Sequence, residues 1–417
     1  MLKKLVITTI VLLMMSSISM AQDSTSDWSA YLFDNINYDL IRVDADGNTN
    51  VFSLGLAENE LLSLNELAVS HDGALVAYCK TIHFDDNETL SNEKILIIRE
   101  IETGENIQEI TFGIPPSCSV TAFSEDDSQI ALSLVSLAFS DEPSEESAWS
   151  LRLINVTSGV TEKILNDGDD IMPAFDMFGE NIPLNADVRQ FNAESLTFAG
   201  IPFVGMGGPP ALPVYQWDFA SDTITQFPQE FGRVNSDILA STGELAYPAL
   251  DEALTAVEPE GPISQANVVN VLSADGTVTT IYQNEDRVIA SAQFINDGQA
   301  VAIISLSGFL PNQDMTTANL LQVDIVNRDG DSMTLDKLFD GGVWIESISE
   351  GMLIVYTPNP NENGMNSTQI LVWTEDTLTE IASYLPDYSS GFSPLQLLWV
   401  SPSMTMTDEL SAFVPVN

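Results

Sequence analysis

The feature that most constrains this chain is a strand–turn–strand pattern that returns at a nearly regular interval. The pattern reads Ser70-His71-Asp72-Gly73, followed by an apolar stretch that ends at Tyr78. Asp-Gly between two apolar segments is typical of a hairpin turn, because glycine tolerates the positive φ that such a turn needs. The copies of this turn lie at positions 73, 127, 195, 243, 298 and 351, and a stretched seventh copy runs from Ser401 to Phe413.

A second hairpin alternates with the first. It consists of a strand with apolar residues at every other position, a polar turn, and a strand rich in Thr, Val and Ile. Four strands repeated every ~40–55 residues indicate the blade of a β-propeller, so we predict an all-β, seven-bladed β-propeller. The second turns are Asp46-Gly47, Thr103-Gly104, Ser158-Gly159, Ser221-Asp222, Asp275-Gly276, Asp329-Gly330 and Glu375-Asp376.

The two ends of the chain indicate how the ring closes. The chain begins with a hairpin of the second kind, at Gly47, and ends with one of the first kind, at Ser401–Phe413. We therefore expect N-/C-terminal closure of one blade, with two strands from each terminus, which removes the exposed edges of an open array. Six or eight blades, an open β-solenoid and two stacked sandwiches remain alternatives, and Trp28–Phe33 is a possible extra strand.

These repeats resemble the TolB-type, WD-like propeller repeats of exported bacterial proteins. The resemblance rests on the Ser-x-Asp-Gly hairpin and on the second hairpin that follows it, and it covers nearly the whole chain after residue 21. The chain departs from the family where proline usually precedes Asp-Gly, since His71, Glu125 and Ser349-Glu350 stand there. The resemblance implies the fold but leaves function open, because such repeats occur in binding subunits and in peptidase lids.

The first residues have the pattern of a secretory signal peptide. Lys3 and Lys4 precede the apolar run Leu5–Met15, and Ser19-Met20-Ala21 is a small-x-small cleavage signal. The run is too short for a comfortable membrane span. We therefore predict cleavage near Ala21, a single propeller domain over residues 22–417, a secreted or periplasmic location and no membrane insertion.

The charge balance excludes several partners. The 417 residues include 61 Asp+Glu and 13 Lys+Arg, a formal net charge of −48. Such a surface repels nucleic acid and anionic membranes. Hydrophobic residues make up 44 % of the chain, which is ample for a folded core. The excess acid either suits a salty or calcium-rich exterior or serves solubility alone.

The two cysteines are expected to pair. Cys79 ends the second strand of one blade and Cys118 precedes the first strand of the next, so both should lie near the same face. An exported chain meets an oxidising compartment, which permits a disulfide. Two buried free thiols are the alternative.

Six repeats have a long connection between their second and third strands. In a propeller these connections all lie on one face, which we call the loop face. Loops longer than about 12 residues are uncommon unless they are functional or disordered, so binding is expected there, although outward loops also drift freely in length. The connections are Lys80–Lys94, Ser136–Trp149, Gly200–Pro213, Leu250–Ala266, Ser305–Ala318 and Thr357–Thr368.

The residues expected to bind a partner lie in or near these loops. The apolar stretch Phe203–Pro210 is either a recognition loop or a lid packed over the central channel. His83 stands beside Asp85 and Asp86, which suggests a metal ligand set or, alternatively, a solvated loop. The candidates are His83, Phe84, Trp149, Phe203, Met206, Tyr215, Trp217 and Phe309.

The sequence offers little catalytic or metal-binding chemistry. With His71 and His83 as the only histidines, a three-histidine zinc site is impossible and a Ser-His-Asp triad would depend on His83. Asp167, Asp169 and Asp170 are weak calcium candidates, because their segment lacks the glutamate at position 12 of an EF-hand loop.

No cofactor is otherwise implied. We expect a monomeric, non-catalytic protein that binds a protein, peptide or glycan. The alternatives are a carboxylate- or calcium-dependent glycan hydrolase or lyase at the channel mouth, and a cell-surface scaffold component.

Overall fold

In a computed structural model of the chain, the described residues are all-β and include no helix. The described ranges are 28–57, 59–83, 92–112, 117–135, 149–166, 176–177, 180–181, 184–202, 214–227, 236–239, 242–249, 266–273, 275–285, 287–307, 320–348, 351–359, 367–374, 377–384 and 395–401. The strands are β1 Ser29–Asp34, β2 Asp39–Asp44, β3 Thr49–Ser53, β4 Glu60–Val69, β5 Leu75–His83, β6 Asn92–Glu100, β7 Asn106–Phe112, β8 Ser117–Phe123, β9 Gln129–Val135, β10 Trp149–Asn155, β11 Thr161–Asn166, β12 Asp176–Met177, β13 Glu180–Asn181, β14 Leu184–Phe191, β15 Ser195–Pro202, β16 Val214–Asp218, β17 Thr223–Gln226, β18 Asp237–Leu239, β19 Glu244–Ala249, β20 Val268–Leu272, β21 Val278–Gln283, β22 Arg287–Ile295, β23 Ala300–Ser307, β24 Leu321–Asn327, β25 Ser332–Thr334, β26 Gly342–Ile348, β27 Gly351–Thr357, β28 Thr368–Thr374, β29 Thr377–Tyr384 and β30 Leu395–Ser401.

Within those ranges the strands form seven four-stranded antiparallel sheets and one two-stranded hairpin, β12–β13. Blades 1 to 6 are β4–β7, β8–β11, β14–β17, β18–β21, β22–β25 and β26–β29, and blade 7 combines β30 with β1–β3. First strands of neighbouring blades contact one another, as β4 does with β8 and β22 with β26, so the first strand of each blade lies innermost. The predicted seven-bladed propeller is confirmed.

Blade 7 closes the ring by pairing the two ends of the chain. Strand β30 pairs with β1, from Ser29 opposite Ser401 to Asp34 opposite Leu395. The blade therefore takes one strand from the C-terminal part and three from the N-terminal part, so the predicted two-and-two division is wrong. The ambiguous stretch Trp28–Phe33 contains β1, which is buried along nearly its whole length and pairs along both edges. The predicted hairpin copy beyond Ser401 lies outside the described residues.

The core lies between the blades. The second and third strands are buried on both faces, as β9 and β10 are, and therefore read as continuous apolar runs. The fourth strands mix partly buried with exposed residues, as β7 does, because one face packs on the neighbouring blade and the other meets solvent. The hydrophobic pattern of the sequence thus follows from a strand's place in its blade.

The tight turns between first and second strands connect neighbouring blades. At Gly73 the backbone has φ +70°, and an added Cβ would lie 2.2 Å from the hydroxyl oxygen of Tyr31 in blade 7. Asp127 adopts φ 57°, although it is not glycine. Its carboxylate accepts hydrogen bonds from the backbone nitrogens of His71 (2.8 Å) and Asp72 (3.1 Å) in blade 1. These inter-blade bonds help to offset the strained backbone at Asp127.

A disulfide joins blades 1 and 2. Cys79 of β5 and Cys118 of β8 are bonded, with their Cα atoms 5.9 Å apart. Both residues are fully buried in the core between the two blades. The second strand of blade 1 is thus covalently tied to the inner strand of blade 2.

Candidate functional site

One level of the central channel carries polar side chains in four successive blades. We define the level by strand register. In each of blades 1 to 6 it is the residue of the first, innermost strand that pairs with the third residue of the second strand. Those inner-strand residues are Ala68, Ala122, Gln190, Asp237, Gln293 and Glu346. We call Gln190, Asp237, Gln293 and Glu346, together with the neighbouring Arg189, the polar rung.

Arg189 joins the rung through a β-bulge. The register between β14 and β15 shifts between Val188 and Gln190, so Arg189 is an extra residue on the inner strand. A bulge of this kind redirects a side chain out of the regular alternation. The guanidinium Nη2 lies 2.9 Å from Oδ2 of Asp187. Blade 3 thus brings a paired positive charge to the channel.

Asp237 links the inner strands of blades 4 and 5. Its Oδ2 accepts a hydrogen bond of 2.7 Å from the backbone nitrogen of Phe294. Burial raises the pKa of Asp237 to about 6, although hydrogen bonds from the backbone of Phe294 and Ile238 and the charge of Arg189 act in the opposite direction. This carboxyl therefore retains a proton to a much higher pH than a surface aspartate does.

Glu346 is the second acid of the rung. Burial, and then the negative charge of Asp237, raise its pKa to about 7, while hydrogen bonds from the Ser347 backbone and the Gln293 side chain oppose the rise. Asp237 and Glu346 belong to blades 4 and 6, with blade 5 between them, so their interaction crosses the interior of the ring. Both are partly exposed. A side chain that is surrounded by protein and still reached by solvent is expected to line a narrow channel.

Buried polar atoms without partners lie at the same level. Gln190 and Thr197 are 7 % and 1 % exposed, and neither Gln190 Oε1 nor Thr197 Oγ1 has a hydrogen-bond partner among the described residues. The two residues pair across β14 and β15 and share a face of the sheet. Ala199, on that same face, packs with Leu245 and Tyr247 of blade 4. The unpaired atoms therefore face the blade that carries Asp237.

Three aromatic residues predicted to bind a partner belong to the core instead. Trp149, Tyr215 and Trp217 are 1 %, 4 % and 1 % exposed and pack between blades 2 and 3. Their side chains have no surface to offer a partner, and this part of the prediction is corrected. The reason is their position: each lies on a third strand that is covered on both faces, and not in the loop next to it in sequence.

The remaining sequence candidates lie outside what the structure describes. His83 ends β5, but its side chain is not among the described ones. The proposed metal-ligand role of His83 stays a prediction, as do the other partner-binding and calcium sites. The described residues contain no group of three or more His, Cys, Asp or Glu that could hold a metal ion. The other residues concerned are Phe84, Phe203, Met206, Phe309, Asp167, Asp169 and Asp170.

The polar rung is absent from the residues predicted from the sequence, yet the repeats contain its signal. Counting back five residues from the turn positions 73, 127, 195, 298 and 351 gives Ala68, Ala122, Gln190, Gln293 and Glu346. In blade 4 the count is six, from Gly243 to Asp237. Aligning the copies on their turns would have shown a column that changes from alanine to polar residues after the second blade.

Solved structures with similar folds support the propeller. Prolyl oligopeptidase B from Galerina marginata is 10 % identical, with a TM-score of 0.52, and the match covers 85 % of this chain and 48 % of that one. The shared feature is the fold, and this chain spans about half the length of that protein. TolB from Acinetobacter baumannii is 14 % identical over 75 % of this chain and 65 % of that one, with a TM-score of 0.38. The sequence matches no protein-family model and no curated protein.

The putative TolB from Agrobacterium tumefaciens is 14 % identical, with a TM-score of 0.38, over 76 % of this chain and 90 % of that one. TolB proteins and other propellers are thus among the solved structures that resemble this seven-bladed propeller. In the part of the chain that the structure describes, no helix is long and apolar enough to cross a membrane.

Proposed function

We propose that this propeller is a non-catalytic binding protein whose central channel recognises part of its ligand. The polar rung is the observation that carries this function. Ala68 and Ala122 occupy the same level in blades 1 and 2, so the fold itself does not require polar side chains there. A buried polar atom without a partner costs about 1–3 kcal/mol of stability. A ligand that donates a hydrogen bond to Gln190 Oε1 would offset this cost.

The proposed partner is a protein, a peptide or a glycan. The propeller would bind it as a monomer outside the cytoplasm, after removal of a signal peptide near Ala21. The loop face supports this proposal. In blade 2 the second strand ends at Val135 and the third begins at Trp149, whereas in blade 7 the corresponding strands end at Asp34 and begin at Asp39. Long connections in blades 1 to 6 would enlarge the surface around one end of the channel.

A glycan hydrolase or lyase is the second candidate. The observation in its favour is the pair Asp237 and Glu346, whose pKa values of about 6 and 7 suit an acid and a base that act near neutral pH. Two carboxyl groups are the usual catalytic machinery for cleaving a glycosidic bond.

A screen of ligands against matched variants tests both functions. The secreted chain and its Asp237→Asn/Glu346→Gln variant are exposed to a glycan array and a peptide library, and release of reducing sugar from bound glycans is measured. We expect at least one ligand that the double variant binds about tenfold more weakly or worse. The control is Asp329→Asn, an exposed turn residue.

If no ligand distinguishes the double variant from the wild type, the channel is not a binding site. Rung-dependent binding without sugar release supports the binding protein. Sugar release that the double variant loses supports the hydrolase and overturns the non-catalytic role.

A further inference from the structure

We propose that the polar rung binds a primary ammonium group, presented either by the N-terminus of a peptide or by a lysine side chain. The proposal rests on the binding function above and names the chemistry of the group recognised. It follows from the charge of the rung, from its hydrogen-bonding groups and from the contrast between the two halves of the ring.

The charge of the rung favours a cation. Arg189 and Asp187 form an ion pair and cancel each other. Asp237 and Glu346 then contribute up to two negative charges. The other described cation on a neighbouring inner strand is Arg287, at the opposite end of β22, where its guanidinium donates to the Ser305 side chain and to two backbone carbonyls. A cationic ligand would stabilise the ionised form of both acids.

The hydrogen-bonding groups suit an ammonium ion. An ammonium group has three N–H donors and no acceptor. The rung offers three acceptors: the Asp237 and Glu346 carboxyls, and Gln190 Oε1, a buried atom without a partner among the described residues. One buried donor of the rung, Arg189 Nε, also lacks such a partner, and its guanidinium is held by Asp187. Calcium takes six to eight oxygen ligands, and the described residues contain no group of three or more His, Cys, Asp or Glu that could hold a metal ion. The three N–H donors of an ammonium group therefore match the acceptors of the rung better than a metal ion does.

The opposite side of the ring suits the carbon chain behind an ammonium group. At the same level, blades 1 and 2 present Ala68 and Ala122, small side chains that leave room and are apolar. A lysine stem or a peptide Cα places methyl and methylene groups next to its charge, and such groups favour apolar walls. The contrast at this level between the alanines of blades 1 and 2 and the polar rung of blades 3 to 6 thus matches an alkylammonium ligand.

Calorimetry with three small probes tests the proposal. Trialanine amide carries an N-terminal ammonium, N-acetyl-lysine amide carries a side-chain ammonium, and N-acetyl-trialanine amide carries neither. We expect at least one ammonium probe to bind the secreted chain about tenfold more tightly than the acetylated control. The probe that binds identifies the recognised group as a peptide N-terminus or a lysine side chain.

Binding of the cation should also expel protons from Asp237 and Glu346. The observed heat at pH 6.5 should therefore depend on the ionisation enthalpy of the buffer. Glu346→Gln and Asp237→Asn should each weaken the ammonium probe about tenfold, while Glu380→Gln, on the exposed outer strand of blade 6, should not. Near-UV circular dichroism of each variant shows that the fold is intact.

Failure of both ammonium probes, equal binding of the acetylated control, or unchanged binding by both rung variants would overturn the ammonium proposal. If a neutral peptide or a glycan still binds in a rung-dependent way, the binding function survives and only the ammonium chemistry is lost. If the rung variants change the binding of no ligand at all, both proposals fail.

Discussion

Replacing Glu346 with glutamine should stabilise the protein at pH 8 and leave its stability at pH 4 nearly unchanged. The substitution keeps the size of the side chain and its capacity to accept a hydrogen bond, and it removes a charge that the channel holds at a cost. In the folded chain the pKa of Glu346 is raised from 4.5 to about 7.

The magnitude follows from linkage between protonation and folding. Below pH 4 the carboxyl is protonated in both the folded and unfolded chains, so the raised pKa costs nothing. Between about pH 4.5 and 7 the unfolded chain ionises first, and the penalty on the folded chain grows until it levels off above pH 7. Raising a pKa by about 2.5 corresponds to about 3 kcal/mol. Solvent in the channel screens the charge, so we expect about 1–3 kcal/mol at pH 8.

Urea denaturation at pH 4, 6 and 8 measures this effect. The difference in unfolding free energy between Glu346→Gln and the wild type should be near zero at pH 4 and rise with pH. Comparing the two chains removes the general self-repulsion of so acidic a protein, which both share. Glu380→Gln, on an exposed strand, should show no such rise. A Glu346→Gln variant that is equally stable or less stable than the wild type at pH 8 would refute the burial of this charge.

Three further changes test the fold. Gly73→Ala should destabilise the chain by about 1–3 kcal/mol in urea denaturation, because φ is positive and Tyr31 leaves no room for a Cβ. Gly104→Ala, at a position with open space around it, should destabilise the chain less. Equal losses of stability would contradict the close contact with Tyr31. Replacing Cys79 and Cys118 with serine should lower stability by about 3–4 kcal/mol, as expected for a disulfide spanning 39 residues; an unchanged melting temperature in reducing agent would contradict this. A chain that ends at residue 394 should lose cooperative unfolding, since β30 closes the ring, whereas one that ends at Ser401 should keep it; cooperative unfolding of both would show that closure is dispensable.

The blades could be predicted because their turns carry local chemistry. Gly73 and Gly298 adopt the positive φ that the Asp-Gly pattern indicates. The composition of blade 7 could not be read in this way, because no turn connects β30 with β1. Its two inner strands come from opposite ends of the chain, and only the burial of Trp28–Phe33 on both faces reveals their pairing.

The site was harder to predict because it depends on register. Asp237 and Glu346 are 109 positions apart in sequence and are only two among 61 acidic residues, so composition cannot single them out. The bulge that adds Arg189 to the rung is equally hidden, since it depends on pairing with β15. The aromatic candidates failed for a related reason: Trp149 and Trp217 adjoin loops in sequence but lie on covered strands.

The contacts that close the ring and the residues that form the site occupy different parts of it. Trp399 and Ser401 of blade 7 donate hydrogen bonds to the carbonyl oxygen of His71, and Asp127 of blade 2 accepts from the backbone nitrogen of the same residue. The disulfide also joins blades 1 and 2. At the level of the rung these two blades carry alanine, whereas blades 3 to 6 carry the polar residues. Because the closure is fixed in one arc, the polar side chains of the other arc can vary with the ligand while the ring remains closed. Substitutions in the rung should therefore change binding and leave the ring closed, whereas substitutions at the closure should open it.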